Sequence, residues 1–195
     1  MEFGRKNSGQ LRYLTKPELL RFMAEAGKNP KYDALLSLML SFGLRSSEAV
    51  QISLVDISED NCLFVHAKKH GYNRSYDLSP ELVKKIRKWL RVRRMESSWL
   101  FPDYRNPQKH ATNFLPCSAF GIVAKAAGVE GRSPHSLRHS CGVNLAKAGF
   151  TGLQISRHLR HRSLASSWHY CQIVEDKAQD QKALSLFEVY LAKEK

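Results

Sequence analysis

Between residues 61 and 78 the spacing of apolar residues changes, and this change limits the fold more than any other feature of the chain. Cys62, Leu63, Phe64 and Val65 form a strand-like run, Lys68 to Arg74 a polar turn containing Gly71, and Ser75 to Leu78 a return. That pattern predicts a small antiparallel hairpin. On both sides of it the signals are helical. Thr15 stands before Lys16-Pro17-Glu18 and can cap a helix whose apolar face is Leu19, Leu20, Phe22 and Met23, ending near Gly27. Residues 31–43 read as a buried helix closed by Gly43, and Ser46 or Ser47 can open a short helix carrying Glu48. Ser79-Pro80-Glu81 starts a helix with Leu82, Val83, Ile86, Trp89 and Leu90 on one face. Residues 102–116 read as a loop and 117–127 as a helix stopped by Gly128. Ser133-Pro134 begins a helix running to about Lys147, and Ile155 to Leu159 belongs to another. The expected class is mainly α with a small antiparallel β-sheet. A flexible leader is expected over 1–13, one domain over 14–175, and an amphipathic C-terminal tail helix over 176–195 with Leu184, Phe187 and Leu191 on one stripe.

Charge narrows the partner. The chain has 31 Lys+Arg against 18 Asp+Glu, a net +13, which calls for a polyanion. Seven of the eleven residues from Lys84 to Arg94 are Lys or Arg, a solvated helix face or one lying beside phosphates. The longest apolar run, Ala34 to Phe42, is broken by Ser37 and Ser41 and is too short to span a bilayer, so no membrane partner is expected. Cys62, Cys117, Cys141 and Cys171 form no Cys-x-x-Cys pair, which favours free thiols in a reducing cytoplasm over a disulfide framework or a zinc site. A cytoplasmic, nucleoid-associated protein is expected.

Six residues carry chemistry suited to a phosphodiester: Arg45, Lys69, His135, Arg138, His161 and Tyr170. Guanidinium groups bind phosphate through parallel hydrogen bonds and can stabilise the charge of a pentavalent transition state. An ammonium can protonate a leaving oxygen, and an imidazole can move a proton. A phenol ionises near pH 10, so as a nucleophile Tyr170 needs cations that favour the phenolate. His135 and His139 stand four apart, a spacing that could chelate a metal on one helix face. The metalloprotease motif requires Glu after the first His, and Ser136 stands there, so no metal site is expected.

In order, the boxes Gly43-Leu44-Arg45-Ser46-Ser47-Glu48, His135-Ser136-Leu137-Arg138-His139 and Leu159-Arg160-His161, with Tyr170 nine residues later, resemble the tyrosine recombinase (phage integrase) family. The resemblance covers about residues 14–175. It implies that family's catalytic-domain fold and a site-specific DNA recombinase that cleaves and rejoins through a covalent 3′-phosphotyrosyl link. Arg45, Lys69, His135, Arg138, His161 and Tyr170 are the implied catalytic residues, with Glu48 and His139 in support. Lys69 is chosen over Lys68 because it stands five residues before Arg74, the family's spacing. Lys68, Arg74, Arg132, Arg160 and Arg162 are expected to contact DNA. Arg160 departs from the family pattern, which has Gly in the Leu-Gly-His box. Gly permits torsions that Arg dislikes, so a different local turn or an added phosphate contact is expected there.

The resemblance also implies double-stranded DNA as partner, a homotetramer on two DNA sites with exchange of C-terminal tails, and no cofactor, metal or ATP. Length and layout are similar to the short bacterial members that invert a fimbrial promoter segment. The separate N-terminal domain with which most members complete a clamp around DNA is not expected from this sequence. Three alternatives stay open: a type IB topoisomerase-like relaxing enzyme, a catalytically silent recombinase-like DNA-binding protein, and a metal-dependent nuclease using the histidines.

Overall fold

A computed structural model describes residues 13–67 and 72–174. Its elements follow the order α1 (Lys16–Ala26), α2 (Pro30–Phe42), α3 (Ser46–Val50), β1 (Cys62–Val65), β2 (Arg74–Asp77), α4 (Pro80–Val92), α5 (Phe114–Ala126), α6 (His135–Lys147), α7 (Gly152–Leu159) and α8 (Ala165–Val174). Helix α2 is the centre. Ala34, Leu35, Leu36, Leu38 and Met39 are all fully buried, and α1, α4, α5 and α6 pack around it. Burying an aliphatic side chain contributes about 1.5–3 kcal/mol, so this stripe is a main source of stability. Phe22 of α1 meets Phe120 of α5 with ring centroids 4.9 Å apart.

Local chemistry fixes the element ends. The backbone N–H and the hydroxyl of Thr15 both donate to Glu18 Oε2, at 2.7 and 2.8 Å, closing the first turn of α1. Asn29 Oδ1 accepts from the N–H groups of Lys31 and Tyr32 and starts α2. The predicted hairpin is present: β1 and β2 pair antiparallel with Cys62 opposite Asp77 and Val65 opposite Arg74. It is pinned to α7, because the Tyr72 hydroxyl donates to the Ser156 carbonyl at 3.3 Å and the Tyr76 hydroxyl donates to the His158 carbonyl.

One boundary and one element differ from the sequence expectations. Helix α5 begins at Phe114, three residues before the predicted start, because Pro116 fits the first helical turn, where no N–H is needed. Helix α7 contains the predicted Ile155 to Leu159 and begins at Gly152 behind a Thr151 cap, whose side chain accepts from the Gln154 N–H at 3.3 Å. Helix α8, which carries Tyr170, was not predicted.

The apolar interior divides in two. A large cluster joins α1, α2, α4, α5, the sheet and the start of α6; a small one holds Cys141, Val143, Ala146, Ile155, Leu159 and Tyr170. Among the described residues no helix is long and apolar enough to cross a membrane. The predicted leader lies almost wholly outside the described residues, and the tail helix entirely so.

Candidate active site

Two helix ends deliver the site. Helix α2 closes with Gly43 in the left-handed region (φ 55°) and the Leu44 N–H donating to Met39 O at 3.1 Å. Helix α7 closes the same way, with Arg160 at φ 58° and the His161 N–H donating to Ser156 O at 2.9 Å. Both are Schellman closures, which turn the chain sharply out of the helix. The first presents Arg45 and the second His161. Arg160 therefore holds a left-handed conformation that glycine takes without strain and that L-residues rarely adopt.

Helix α6 supplies the middle. His135, Arg138, His139 and Gly142 fall on one face by their spacing of three and four. Arg138 is buried, its Nη1 donating to the Gly43 carbonyl and its Nη2 to the Leu159 carbonyl. One guanidinium thus binds the C-terminal ends of α2 and α7. Burial and the nearby Arg45 charge lower its pKa to about 10, still well above neutrality.

Glu48, 3% exposed, is the acidic hub. Its Oε1 accepts from Arg45 Nη1 at 2.7 Å, and its Oε2 accepts from Arg160 Nη2 at 2.7 Å and from the Arg45 N–H at 2.9 Å. Arg138 Nη1 stands 4.0 Å from the same oxygen. Burial pushes the carboxyl pKa up, but the Arg160 charge and the bonds from Arg45 and Arg160 outweigh it and hold Glu48 below its usual range.

Tyr170 is 2% exposed, with its ring over Gly142. Its hydroxyl lies 3.0 Å from His139 Nδ1, and its ring stacks near that of His161 with centroids 6.3 Å apart. The imidazole bonded to the phenol is thus that of His139, not His135; His135 stands edge-on to His139 at 4.5 Å between centroids. Burial lowers the pKa of His139 to about 4, with the His135 and Arg138 charges adding to the effect. The protein packed around His135, with Arg138 and Arg45, lowers its pKa too. His139 Nδ1 and the Tyr170 hydroxyl share one hydrogen bond, in which the ring accepts the O–H when its proton is on Nε2. His161 Nδ1 bonds the buried Ser167 hydroxyl at 2.7 Å, which fixes the ring, and burial with the Arg138 charge takes its pKa down to about 3.

Two sequence expectations are corrected. Arg138 does favour the Tyr170 phenolate, but burial wins and the phenol is pushed up to about 12, so in this state it is neutral. Arg160, expected to reach a DNA phosphate, is fully buried and spends its guanidinium on Glu48, the Tyr76 hydroxyl and the carbonyls of Phe42, Gly43 and His158. The other residues stand as follows. Arg74 is partly exposed, its guanidinium 5.1 Å from the Tyr76 ring centroid. Arg132 is exposed and 3.8 Å from Glu18. Arg162 is exposed, and Lys68 and Lys69 lie outside the described residues. Among the described residues no group of three His, Cys, Asp or Glu could hold a metal ion. Sequence reasoning missed Ser167, Tyr76 and Gly142. Of these only Gly142 carried a visible signal, a glycine inside a helical pattern.

The fold and the clustered residues define a helical domain with three arginines, three imidazoles and a tyrosine at one place. The chain belongs to the phage integrase family, which it matches over residues 12–176. A putative integrase/recombinase, y4qK of Sinorhizobium fredii, is 33% identical over 178 residues, covering 88% of this chain and 56% of that protein. The type 1 fimbriae regulatory protein FimB of Escherichia coli is 28% identical over 170 residues, covering 81% and 82%. The crystal structure of XerA recombinase superposes with a TM-score of 0.72 at 22% identity, covering 94% of this chain and 65% of that one. XerH site-specific recombinase bound to its palindromic difH substrate superposes with a TM-score of 0.74, also at 22% identity, covering 95% and 56%. The chain therefore spans little more than half the length of several relatives it matches, and the structural likeness is one of fold.

Proposed function

We propose that the protein is a site-specific DNA recombinase that cuts and rejoins strands through Tyr170. The observation that carries this reading is the convergence of Arg45, Arg138, His139, His161 and Tyr170, from four separate elements, around Glu48 and the Gly43 and Leu159 carbonyls. In this reading the scissile phosphate enters beside Arg45, Arg138 and His161. Tyr170 Oη attacks phosphorus, its proton passing to His139 with His135 beside it. A P–Oη bond forms as the bond to the 5′ oxygen breaks, and that oxygen leaves with a proton from Lys69. Attack by a 5′ hydroxyl reverses the step, so bond energy is kept in the covalent link and no ATP is consumed. The guanidinium groups supply electrostatic stabilisation of the developing charge.

Double-stranded DNA is the proposed partner, with four subunits on two sites exchanging their C-terminal tails, and Lys68, Arg74, Arg132 and Arg162 as backbone contacts. The similarity to y4qK, a putative integrase/recombinase, supports a recombinase role, and a nucleoid location follows from it. The test is a nicked duplex incubated without metal or ATP and run on a denaturing gel. A covalent protein–DNA band that disappears in Tyr170→Phe is the expected result. Salt-sensitive binding with no band on any substrate would overturn the reading in favour of a silent DNA-binding relative.

A further inference from the structure

Arg160 departs from the Gly of the Leu-Gly-His box that the resemblance implies, and its burial needs a reason. A left-handed backbone disfavours any residue with a Cβ, and a buried guanidinium is costly unless paired. Both penalties are met here at a single position, at φ 58° and with no exposed surface. The compensation is a set of directed bonds. Nη2 donates to Glu48 Oε2 at 2.7 Å and to the Gly43 carbonyl at 3.4 Å; Nη1 donates to the Phe42 carbonyl at 3.1 Å, the His158 carbonyl at 3.2 Å and the Tyr76 hydroxyl.

Glu48 connects this set to the chemistry. Arg138 Nη1 is 4.0 Å from Glu48 Oε2, the oxygen that Arg160 occupies at 2.7 Å. The two guanidinium groups also share the Gly43 carbonyl. We infer that Arg160 is a positioning residue: it satisfies Glu48 Oε2, so that Arg138 stays on the Gly43 and Leu159 carbonyls and Oε1 stays with Arg45. Without it, Glu48 draws Arg138 into a close ion pair, and one of the two phosphate-binding guanidinium groups is turned away. Through Tyr76 the same side chain ties β2, and so the base of the hairpin that carries Lys69, to the floor of the site. Arg160 acts through its neighbours and touches no substrate.

This role rests on the recombinase reading, and the test separates the two. Arg160→Met and Arg160→Gln remove the charge, whereas Arg160→Lys keeps it. The quantities to measure are the first-order rate of covalent adduct formation on saturating nicked duplex and, separately, the Kd for that duplex. The two neutral variants are expected to lose roughly 100-fold in rate, with Kd changed less than about 2-fold, because the interaction lost is one made in the transition state. Lysine is expected to restore the rate to within about 5-fold of the parent, since it returns the charge to Glu48. Equal rates in all four proteins would overturn the role. So would a parallel loss of rate and DNA affinity in all three variants, which marks a packing residue. If the neutral variants do not fold, Arg160→Gly, which removes the charge while suiting the left-handed backbone, takes their place: the same rate loss with unchanged Kd is expected, and a parental rate overturns the role. A parent that forms no Tyr170-dependent adduct overturns the recombinase reading, and this role with it.

Discussion

The ring of Tyr170 lies so close over Gly142 that a Cβ at that position would come within 2.8 Å of three of its carbons. Gly142 stands in the middle of α6, where glycine disfavours the helix, and it is kept because the tyrosine fills the space a side chain would take.

Gly142→Ala is therefore expected to gain helix propensity and lose more by overpacking. A net destabilisation of about 1–3 kcal/mol follows from forcing a side chain into a filled site. Tyr170 should be displaced toward solvent. Urea unfolding measures the first effect, and tetranitromethane nitration mapped by peptide mass spectrometry the second. Unchanged stability with unchanged protection of Tyr170 would show that α6 and α8 do not pack as described.

Removing the acidic hub should cost more. Glu48→Ala leaves Arg45, Arg138 and Arg160 without their shared carboxylate, two of them fully buried. Breaking one partner of a buried ion pair typically destabilises by about 3–5 kcal/mol. Equilibrium urea unfolding checks this, and a loss under about 1 kcal/mol would mean that the arginines are held by backbone carbonyls alone.

Acid should loosen the site before it unfolds the rest. His139 and His161 have pKa values lowered to about 4 and about 3, against the ordinary 6.5 of an unfolded histidine. Between those values the unfolded chain binds more protons than the folded one, so stability falls as pH falls. The contribution is complete above pH about 6.5 and is lost progressively toward pH 3–4. The midpoint of thermal unfolding should drop over that window, and His139→Gln should flatten the upper part of the drop. A Tm that stays constant from pH 7 to 4.5 would contradict the half-buried neutral imidazoles.

The thiols should react in an order set by burial. Cys117 is exposed, while Cys141 is buried, with a pKa pushed up to about 12 chiefly by that burial. A thiol without thiolate character is inert. Native-state labelling with iodoacetamide should modify Cys117 well before Cys141, and mass spectrometry of the peptides reads the order directly. Equal rates would place Cys141 at the surface.

The elements with strong punctuation were legible from sequence. Thr15, Gly43, Ser79-Pro80 and Ser133-Pro134 mark helix ends by local chemistry that acts within a few residues, and each falls at an observed boundary. Helix α8 had no such marks. Its inward face is Ser167, Tyr170 and Cys171, with a serine at one buried place and Trp168 left exposed, so apolar character does not track burial along it. The ordered boxes pointed to the site residues, but not to what they do to each other. That Arg160 turns inward to Glu48, and that His139 takes the tyrosine hydroxyl, depends on partners more than 100 and 30 positions away respectively. Nor could composition reveal that the phenol would be neutral: cations and burial act in opposite directions on it, and only packing decides between them.

The two-part interior has a mechanical consequence. The small cluster that holds Tyr170 meets the large one along α6, which contributes to both, while the end of α7 is bonded to α2 and Gly43 through Arg138 and Arg160. Apolar surfaces can slide by fractions of an ångström at little cost, whereas forked hydrogen bonds hold one register and then fail together. Helices α7 and α8, resting on a small apolar cluster and a few directed bonds, should therefore open at a lower free energy than the large cluster. Hydrogen exchange in α7 and α8 should accordingly run faster than in α2, and as a single cooperative unit.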